Sequence, residues 1–220
     1  MTFISKQFKQ ILLTPALLLV AVTAISQVKP KPVSAKPTVA KPASRQLTDF
    51  RRLTAEANVV FTFPAGFKEI KVLNNEDFSY DYAMELPGHD FEIWFQVKSQ
   101  KKDWQIYELV KNDPSKQTAN PDSSYNGMGR AQASAFTGDQ NAITRTIPQD
   151  ILVRYNASAG KTYLLNLQDL AETKHYKYAL LITLEKDRTG TILAVCFSND
   201  KGPEFFKNIN RASNCLKFKP

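Results

Sequence analysis

The segment YKYALLITLEKDRTGTILAVCFS, residues 176–198, contains two runs of apolar and β-branched residues that are separated by a polar turn. The turn, residues 186–190, ends in Gly and has the composition of a hairpin loop. Both runs are apolar at successive positions, so both faces of this hairpin should be buried. We therefore predict a central antiparallel hairpin that is covered by helices.

A second hairpin is predicted in DFSYDYAMELPGHDFEIWFQVKS, residues 77–99. Apolar and polar side chains alternate along both arms, with Phe78, Tyr80 and Tyr82 on the first and Phe91, Ile93, Phe95 and Val97 on the second. Pro87-Gly88-His89-Asp90 has the composition of a turn. Alternation places Trp94 on the opposite face from Phe95. There it would contact a partner if exposed, or belong to the core if a helix covers it.

Other segments predict helices and short strands around these hairpins. VVFTF, residues 59–63, predicts a strand that ends at the turn Pro64-Ala-Gly66, and FKEIKVL predicts the next one. Helical spacing occurs in residues 45–58 and in 146–160 between Thr146 and Gly160. It also occurs in 121–136, at Tyr125, Met128, Ala131 and Ala135, and in 202–213, where Phe205, Phe206 and Ile209 should point inward. The predicted fold class is α+β, with a mainly antiparallel sheet and helices packed on its faces.

The stretch FTFPAGFKEI, residues 61–70, followed by hairpins and a C-terminal helix, resembles the PsbP-like fold group, which includes the DcrB-type exported proteins of bacteria. This resemblance implies an α/β/α sandwich and an accessory or binding role. It carries over no functional residue. An export signal before such a domain also resembles secreted proteins of the Bacteroidetes.

Residues 1–26 have the pattern of an export signal. Lys6 and Lys9 precede an apolar stretch from Ile11 to Ile25, and Ala24-Ile25-Ser26 offers small residues at the positions that a signal peptidase reads. As a helix that stretch would be about 22 Å long, which is short of the roughly 30 Å hydrocarbon core of a bilayer. We therefore expect cleavage before Gln27, a periplasmic or extracellular location, and no transmembrane segment in the mature chain. An uncleaved anchor, as in the TonB-type layout, is the alternative.

Residues 27–45 contain four Lys-Pro pairs and no aromatic residue. Repeated prolines deny a helix its backbone donors, so we predict a disordered leader here, followed by a single domain over residues 46–220. Seven of the 29 basic residues precede Gln46 and all 21 acidic residues follow it, which leaves the domain with a net charge of about +1. A near-neutral domain argues against nucleic-acid binding, because phosphate neutralisation supplies much of that affinity.

The sequence contains two cysteines and two histidines. In an exported domain Cys196 and Cys215 are permitted to pair, and they are separated by a predicted helix that would return antiparallel to the strand. A disulfide and two independent buried thiols are both open. With two histidines a His-rich metal site is excluded, and no phosphate-binding loop, nucleophile elbow or metalloprotease motif occurs. We expect no metal and no cofactor.

The function that these patterns favour is a non-enzymatic exported accessory or binding domain, acting through a sheet face or a loop region. Trp94, Trp104 and Tyr107 are the predicted contacts for an envelope protein or a small ligand. The alternative is a secreted or periplasmic hydrolase whose site lies in residues 111–140. The polar side chains that this region supplies are Asp113, Asp122, Ser123, Ser124 and Asp139.

Overall fold

The computed structural model of the chain describes residues 43–75, 78–138 and 142–220. The predicted signal and almost all of the predicted leader lie outside these residues. The first helix begins at Arg45, where the Ser44 side chain accepts a hydrogen bond from the backbone N–H of Leu47. Ser44 is thus an N-cap residue, because it satisfies a donor that the first helical turn leaves free.

Seven strands form one antiparallel sheet, and two more form a small separate pair. The strands are β1 Val59–Phe61, β2 Lys68–Ile70, β3 Tyr82–Glu85, β4 Glu92–Ser99, β5 Ile143–Thr146, β6 Ala159–Asn166, β7 Tyr178–Lys186, β8 Gly190–Ser198 and β9 Leu216–Phe218. The order in the large sheet is β2-β3-β4-β8-β7-β6-β5, and β1 pairs with β9. All of these pairings are antiparallel.

Helices pack on both faces of the large sheet. They are α1 Arg45–Glu56, α2 Lys101–Val110, α3 Ser124–Thr137, α4 Gln149–Leu152 and α5 Pro203–Ala212, with 3-10 turns at Pro121–Ser123 and Val153–Tyr155. One core contains Phe50 of α1 and Phe205 of α5, and the other contains Ala133 and Phe136 of α3. The α+β class with an antiparallel sheet is therefore confirmed. Within the described residues, no helix is both long enough and apolar enough to cross a membrane.

Both predicted hairpins are confirmed. β7 and β8 pair in register from Tyr178↔Ser198 to Lys186↔Gly190, and every residue of β8 is buried. β3 and β4 pair with Tyr82 opposite Phe95, and Gly88 in the connecting turn has a φ of 78°. That left-handed backbone favours glycine, which has no Cβ to clash. The apolar runs thus occupy the middle of the sheet because their residues need cover on both faces.

The first arm of the upstream hairpin is shorter than predicted. Strand β3 begins only at Tyr82, and the chain bends at Asp81. Phe78 and Tyr80 consequently pack in the α3-side core, whereas Tyr82 packs in the α1-side core. A similar correction applies to α5, where Phe205 is buried but Phe206 is 44% exposed. Neighbouring helical residues point about 100° apart, so the two rings do not share one face.

The predicted helix over residues 146–160 is wrong. Only Gln149–Leu152 and the short turn Val153–Tyr155 are helical, while Thr146 ends β5 and Gly160 lies inside β6. Asn156 ends the helical turn with a φ of 50°. A Cβ at Gly160 would lie 2.7 Å from the carbonyl oxygen of Thr183, so glycine here allows β6 and β7 to approach closely. Strand pairing with β7 therefore overrides the helical spacing of the sequence.

Helix α3 is confirmed, although two of the residues that gave its helical spacing are not buried. The buried residues are Gly129, Ala133, Phe136 and Thr137, whereas Ala131 and Ala135 are exposed.

Helix α2 was not predicted. Its apolar residues lie on two faces, with Trp104, Tyr107 and Val110 half-buried and Ile106 and Leu109 exposed. None of its ten residues is buried.

Candidate functional site

Helix α2 begins immediately after β4 and carries a surface of large side chains. Ile106 is 58% exposed and Leu109 is 84% exposed. Asp103, in the first turn, pairs with Lys98 at 3.1 Å. An acidic residue there interacts favourably with the helix dipole. The first turn of α2 is thus anchored, whereas the Ile106 and Leu109 side chains remain in solvent.

Two of the three predicted binding residues lie together on α2. The rings of Trp104 and Tyr107 meet edge to face, with centroids 5.2 Å apart. The guanidinium of Arg188 lies 4.5 Å from the centre of the Trp104 ring. Trp104, Ile106, Tyr107 and Leu109 are called the α2 surface below.

Trp94 does not join this surface. It is 2% exposed, and its ring packs against Tyr80 and Phe197 in the α3-side core. Its Nε1 donates to Glu92 Oε2 at 3.1 Å, which satisfies the one polar atom of the indole. Trp94 is therefore a core residue, the alternative that the sequence left open, and it has no surface with which to contact a partner directly.

Beside α2 lies a group of three acidic side chains, Asp122, Glu185 and Asp187, which we call the carboxylate cluster. One carboxylate oxygen from each lies within 4.8 Å of the others. Asp122 belongs to the 3-10 turn that precedes α3, Glu185 to β7, and Asp187 to the turn between β7 and β8. Residues separated widely along the chain thus meet at one end of the central hairpin.

Hydrogen bonds fix the carboxylate of Asp122 and the backbone that carries Asp187. Asp122 Oδ1 accepts from Trp104 Nε1 at 2.7 Å and from the backbone N–H of Arg188 at 2.9 Å. The backbone N–H of Asp187 donates to Ser158 Oγ at 3.1 Å. The turn that carries Asp187 is therefore hydrogen-bonded to Asp122 and to Ser158, which precedes β6.

Glu185 is the buried member of the carboxylate cluster. It is 2% exposed, and its Oε1 has no hydrogen-bond partner. Burial, followed by the negative charges of Asp122 and Asp187, raises the pKa of the Glu185 carboxyl to about 8. The cluster can therefore hold a proton near neutral pH, or a cation that replaces it.

Gln100 is a fully buried amide next to the carboxylate cluster. Its Nε2 contacts Pro121 O at 2.7 Å, Ser124 Oγ at 2.9 Å and Thr191 Oγ1 at 3.2 Å. Pro121 precedes Asp122, and Thr191 lies opposite Glu185 in the β7–β8 register. The amide group is thus inserted between the segment that carries Asp122 and the strand opposite Glu185. Its Oε1 has no partner.

Alternation in the sequence could have shown that Glu185 and Gln100 are buried. No pattern in the sequence shows that they lie near Asp122. Alternation along β7 places Glu185 on the same face as buried Leu181, and alternation beyond β4 places Gln100 on the same face as Trp94. An acid or an amide at an inward position of a central strand is unusual. Asp122 lies on a distant segment, so only the fold brings it to them.

The described residues of the predicted hydrolase site have different partners. Asp113 accepts from Ser115, Ser123 donates to Asn120 O, and Asp139 lies outside the described residues. Ser124 accepts from Gln100, and Asp122 enters the carboxylate cluster.

Of the two alternatives for the cysteines, the structure has two separate thiols and no disulfide. Cys196 and Cys215 are free and buried, and both line an apolar cavity of about 50 Å³ under α5. Burial raises the pKa of the Cys215 thiol to about 12, which keeps it protonated.

No protein-family model matches the chain, and no protein of curated function matches it. The resemblance to the PsbP-like group therefore stays a prediction.

Proposed function

We propose that this chain is an exported, non-enzymatic accessory domain that binds an envelope protein through the α2 surface. The observation that carries this proposal is the exposure of Leu109 and Ile106, at 84% and 58%. They lie three residues apart on one helix, beside the aromatic pair Trp104 and Tyr107. Aromatic and aliphatic residues grouped in this way are the usual anchors of protein interfaces.

The shape of this region favours a protein over a small molecule as the occupant. The groove beside Trp104, Leu109 and Arg188 is open to solvent, whereas small-molecule sites are concave and enclose most of their ligand. A helix that presents its apolar side chains outward fits a groove or a flat surface on another protein. The export pattern of residues 1–26 supports a partner in the envelope or outside the cell.

Photo-cross-linking of the parent chain and of a double variant tests this proposal. A photoreactive amino acid at Gln105, which is exposed on α2, should cross-link to one protein in the native envelope. Ile106→Glu with Leu109→Glu should reduce that adduct at least about tenfold, because two charges would have to be desolvated in the interface.

The matched control replaces Ile143 and Val153 with Glu. These side chains are exposed to a comparable extent, at 60% and 62%, but lie on β5 and in the turn after α4. The control should keep the adduct. Equal loss of the adduct in both double variants, or retention in both, would contradict the assignment to α2.

A further inference from the structure

We propose that the carboxylate cluster of Asp122, Glu185 and Asp187 is a binding site for a divalent cation, with Ca²⁺ as the preferred ion. The sequence led us to expect no metal, because it lacks the His and Cys patterns of transition-metal sites. A site of oxygen ligands alone has no such local pattern, and it is the type that Ca²⁺ selects. This inference does not depend on the binding of a partner to α2.

Uncompensated negative charge is the first argument. Among the described residues, no Lys or Arg forms an ion pair with any of the three carboxylates. The nearest guanidinium along the chain, that of Arg188, lies over Trp104 and donates to Glu108 instead. Three carboxylates gathered with one of them buried are costly unless a cation or a proton joins them.

Glu185 and Gln100 each have a buried oxygen without a hydrogen-bond donor. Glu185 is 2% exposed and Gln100 is 0% exposed, and neither Oε1 has a partner. A buried acceptor without a donor is destabilising, because it has lost its hydrogen bond to water. A divalent cation supplies the Glu185 oxygen with a partner and balances two negative charges, whereas a proton balances one.

The orientation of the Gln100 amide follows from its contacts. Its Nε2 faces the carbonyl oxygen of Pro121 at 2.7 Å. Exchanging the nitrogen and oxygen would place two acceptors against each other, so the oxygen must be the atom without a partner. The free acceptor is thus set by the fold, on a side chain that contacts Pro121, next to Asp122, and Thr191, opposite Glu185.

The spacing of the carboxylates suits Ca²⁺. Ca²⁺ binds oxygen at 2.3–2.6 Å, so ligands on opposite sides of the ion are roughly 4.6–5.2 Å apart. One carboxylate oxygen from each of the three residues lies within 4.8 Å of the others, so all three can reach one ion. Mg²⁺ keeps several of its waters and is usually held by one or two carboxylates, whereas a site with three protein carboxylates suits Ca²⁺.

Calorimetry and thermal unfolding of the EDTA-treated chain test the proposal. One Ca²⁺ should bind per chain and raise the unfolding temperature, because the ion binds the folded state and not the unfolded chain. Trp104 fluorescence should change with the same midpoint, because its indole N–H donates to Asp122. Absence of heat and of a temperature shift at about 10 mM Ca²⁺, well above the dissociation constants of extracellular calcium modules, would overturn the site.

Substitutions assign the binding to these side chains. Glu185→Gln and Asp187→Asn should each weaken Ca²⁺ binding at least about tenfold. Asp150→Asn, an exposed acid on α4, should leave it unchanged. In metal-free buffer Glu185→Gln should be at least as stable as the parent, which separates loss of binding from loss of folding. Unchanged affinity in both cluster variants would overturn the site, and tighter binding of Mg²⁺ than of Ca²⁺ would overturn the ion preference.

Discussion

Asp81 lies immediately before β3, and the backbone of β4 holds its carboxyl. Its Oδ2 accepts from the backbone N–H of Val97 at 2.7 Å, and its own backbone N–H donates to Phe95 O at 2.8 Å. Partial burial raises the pKa of the Asp81 carboxyl above its ordinary value of 3.8, and the main-chain hydrogen bond opposes only part of that rise. The folded chain therefore binds this proton more tightly than the unfolded chain.

Asp81→Asn should remove this pH dependence. The stabilisation from the proton is complete below the ordinary pKa of the carboxyl and is lost as pH rises through the raised value. Asn keeps an acceptor for Val97 N–H without the charge. The free energy of unfolding of the variant, relative to the parent, should therefore rise as the pH increases above the ordinary pKa of 3.8. Urea unfolding at several pH values measures this, and a constant difference would contradict it.

At the scale of the element, the position of α3 depends on Gly129, although glycine disfavours a helix interior. A Cβ at Gly129 would lie 2.8 Å from the ring of Tyr163, so only glycine lets the helix pack this closely on β6. A Cβ at Gly127, two residues earlier, would meet nothing within 4 Å. The two glycines thus have the same intrinsic cost to the helix, and one of them gains sheet packing in return.

The two glycines provide a matched pair of substitutions. Gly127→Ala should stabilise the chain by about 0.5–1 kcal/mol, because alanine restricts the unfolded state and meets no neighbour. Gly129→Ala should destabilise it by about 1–3 kcal/mol, because the Tyr163 ring is buried and must move. Equilibrium urea unfolding of both variants measures the difference. Equal effects of the same sign would show that α3 does not pack on β6 as described.

At the scale of the whole molecule, the last strand closes the fold onto its beginning. β9 pairs with β1, and Phe218 is 0% exposed. The amide nitrogen of Asn156 donates to Phe218 O at 2.8 Å. A two-stranded pair is marginally stable by itself, so these tertiary contacts hold β9 in place.

Phe218→Ala should therefore destabilise the entire domain by about 3–5 kcal/mol, as expected for truncation of a buried aromatic ring. Lys217→Ala, at an exposed position on the same strand, should change stability by less than about 0.5 kcal/mol. Urea unfolding followed by fluorescence gives both values. A change below about 1 kcal/mol for Phe218→Ala would contradict a structural role for β9.

Local patterns predicted the two hairpins and three of the helices, because periodicity and turn composition act between residues that are near in sequence. The same reasoning failed where a distant strand decided the outcome. Residues 146–160 have helical spacing, yet Ala159 and Gly160 pair with β7 as the start of β6. Helix α2 escaped prediction because its apolar residues are divided between a half-buried face and an exposed face, so they do not mark one inward stripe.

By itself the sequence determined the fold class, the central hairpin and the near neutrality of residues 46–220, since these follow from local periodicity and from charge counts. Only the tertiary structure decided the candidate sites. It buried Trp94 and left Ile106 and Leu109 in solvent. It also brought Asp122 to Glu185 and Asp187. The physical reason is that exposure and carboxylate spacing depend on which elements pack together, and contacts between distant segments leave no periodic trace in the chain.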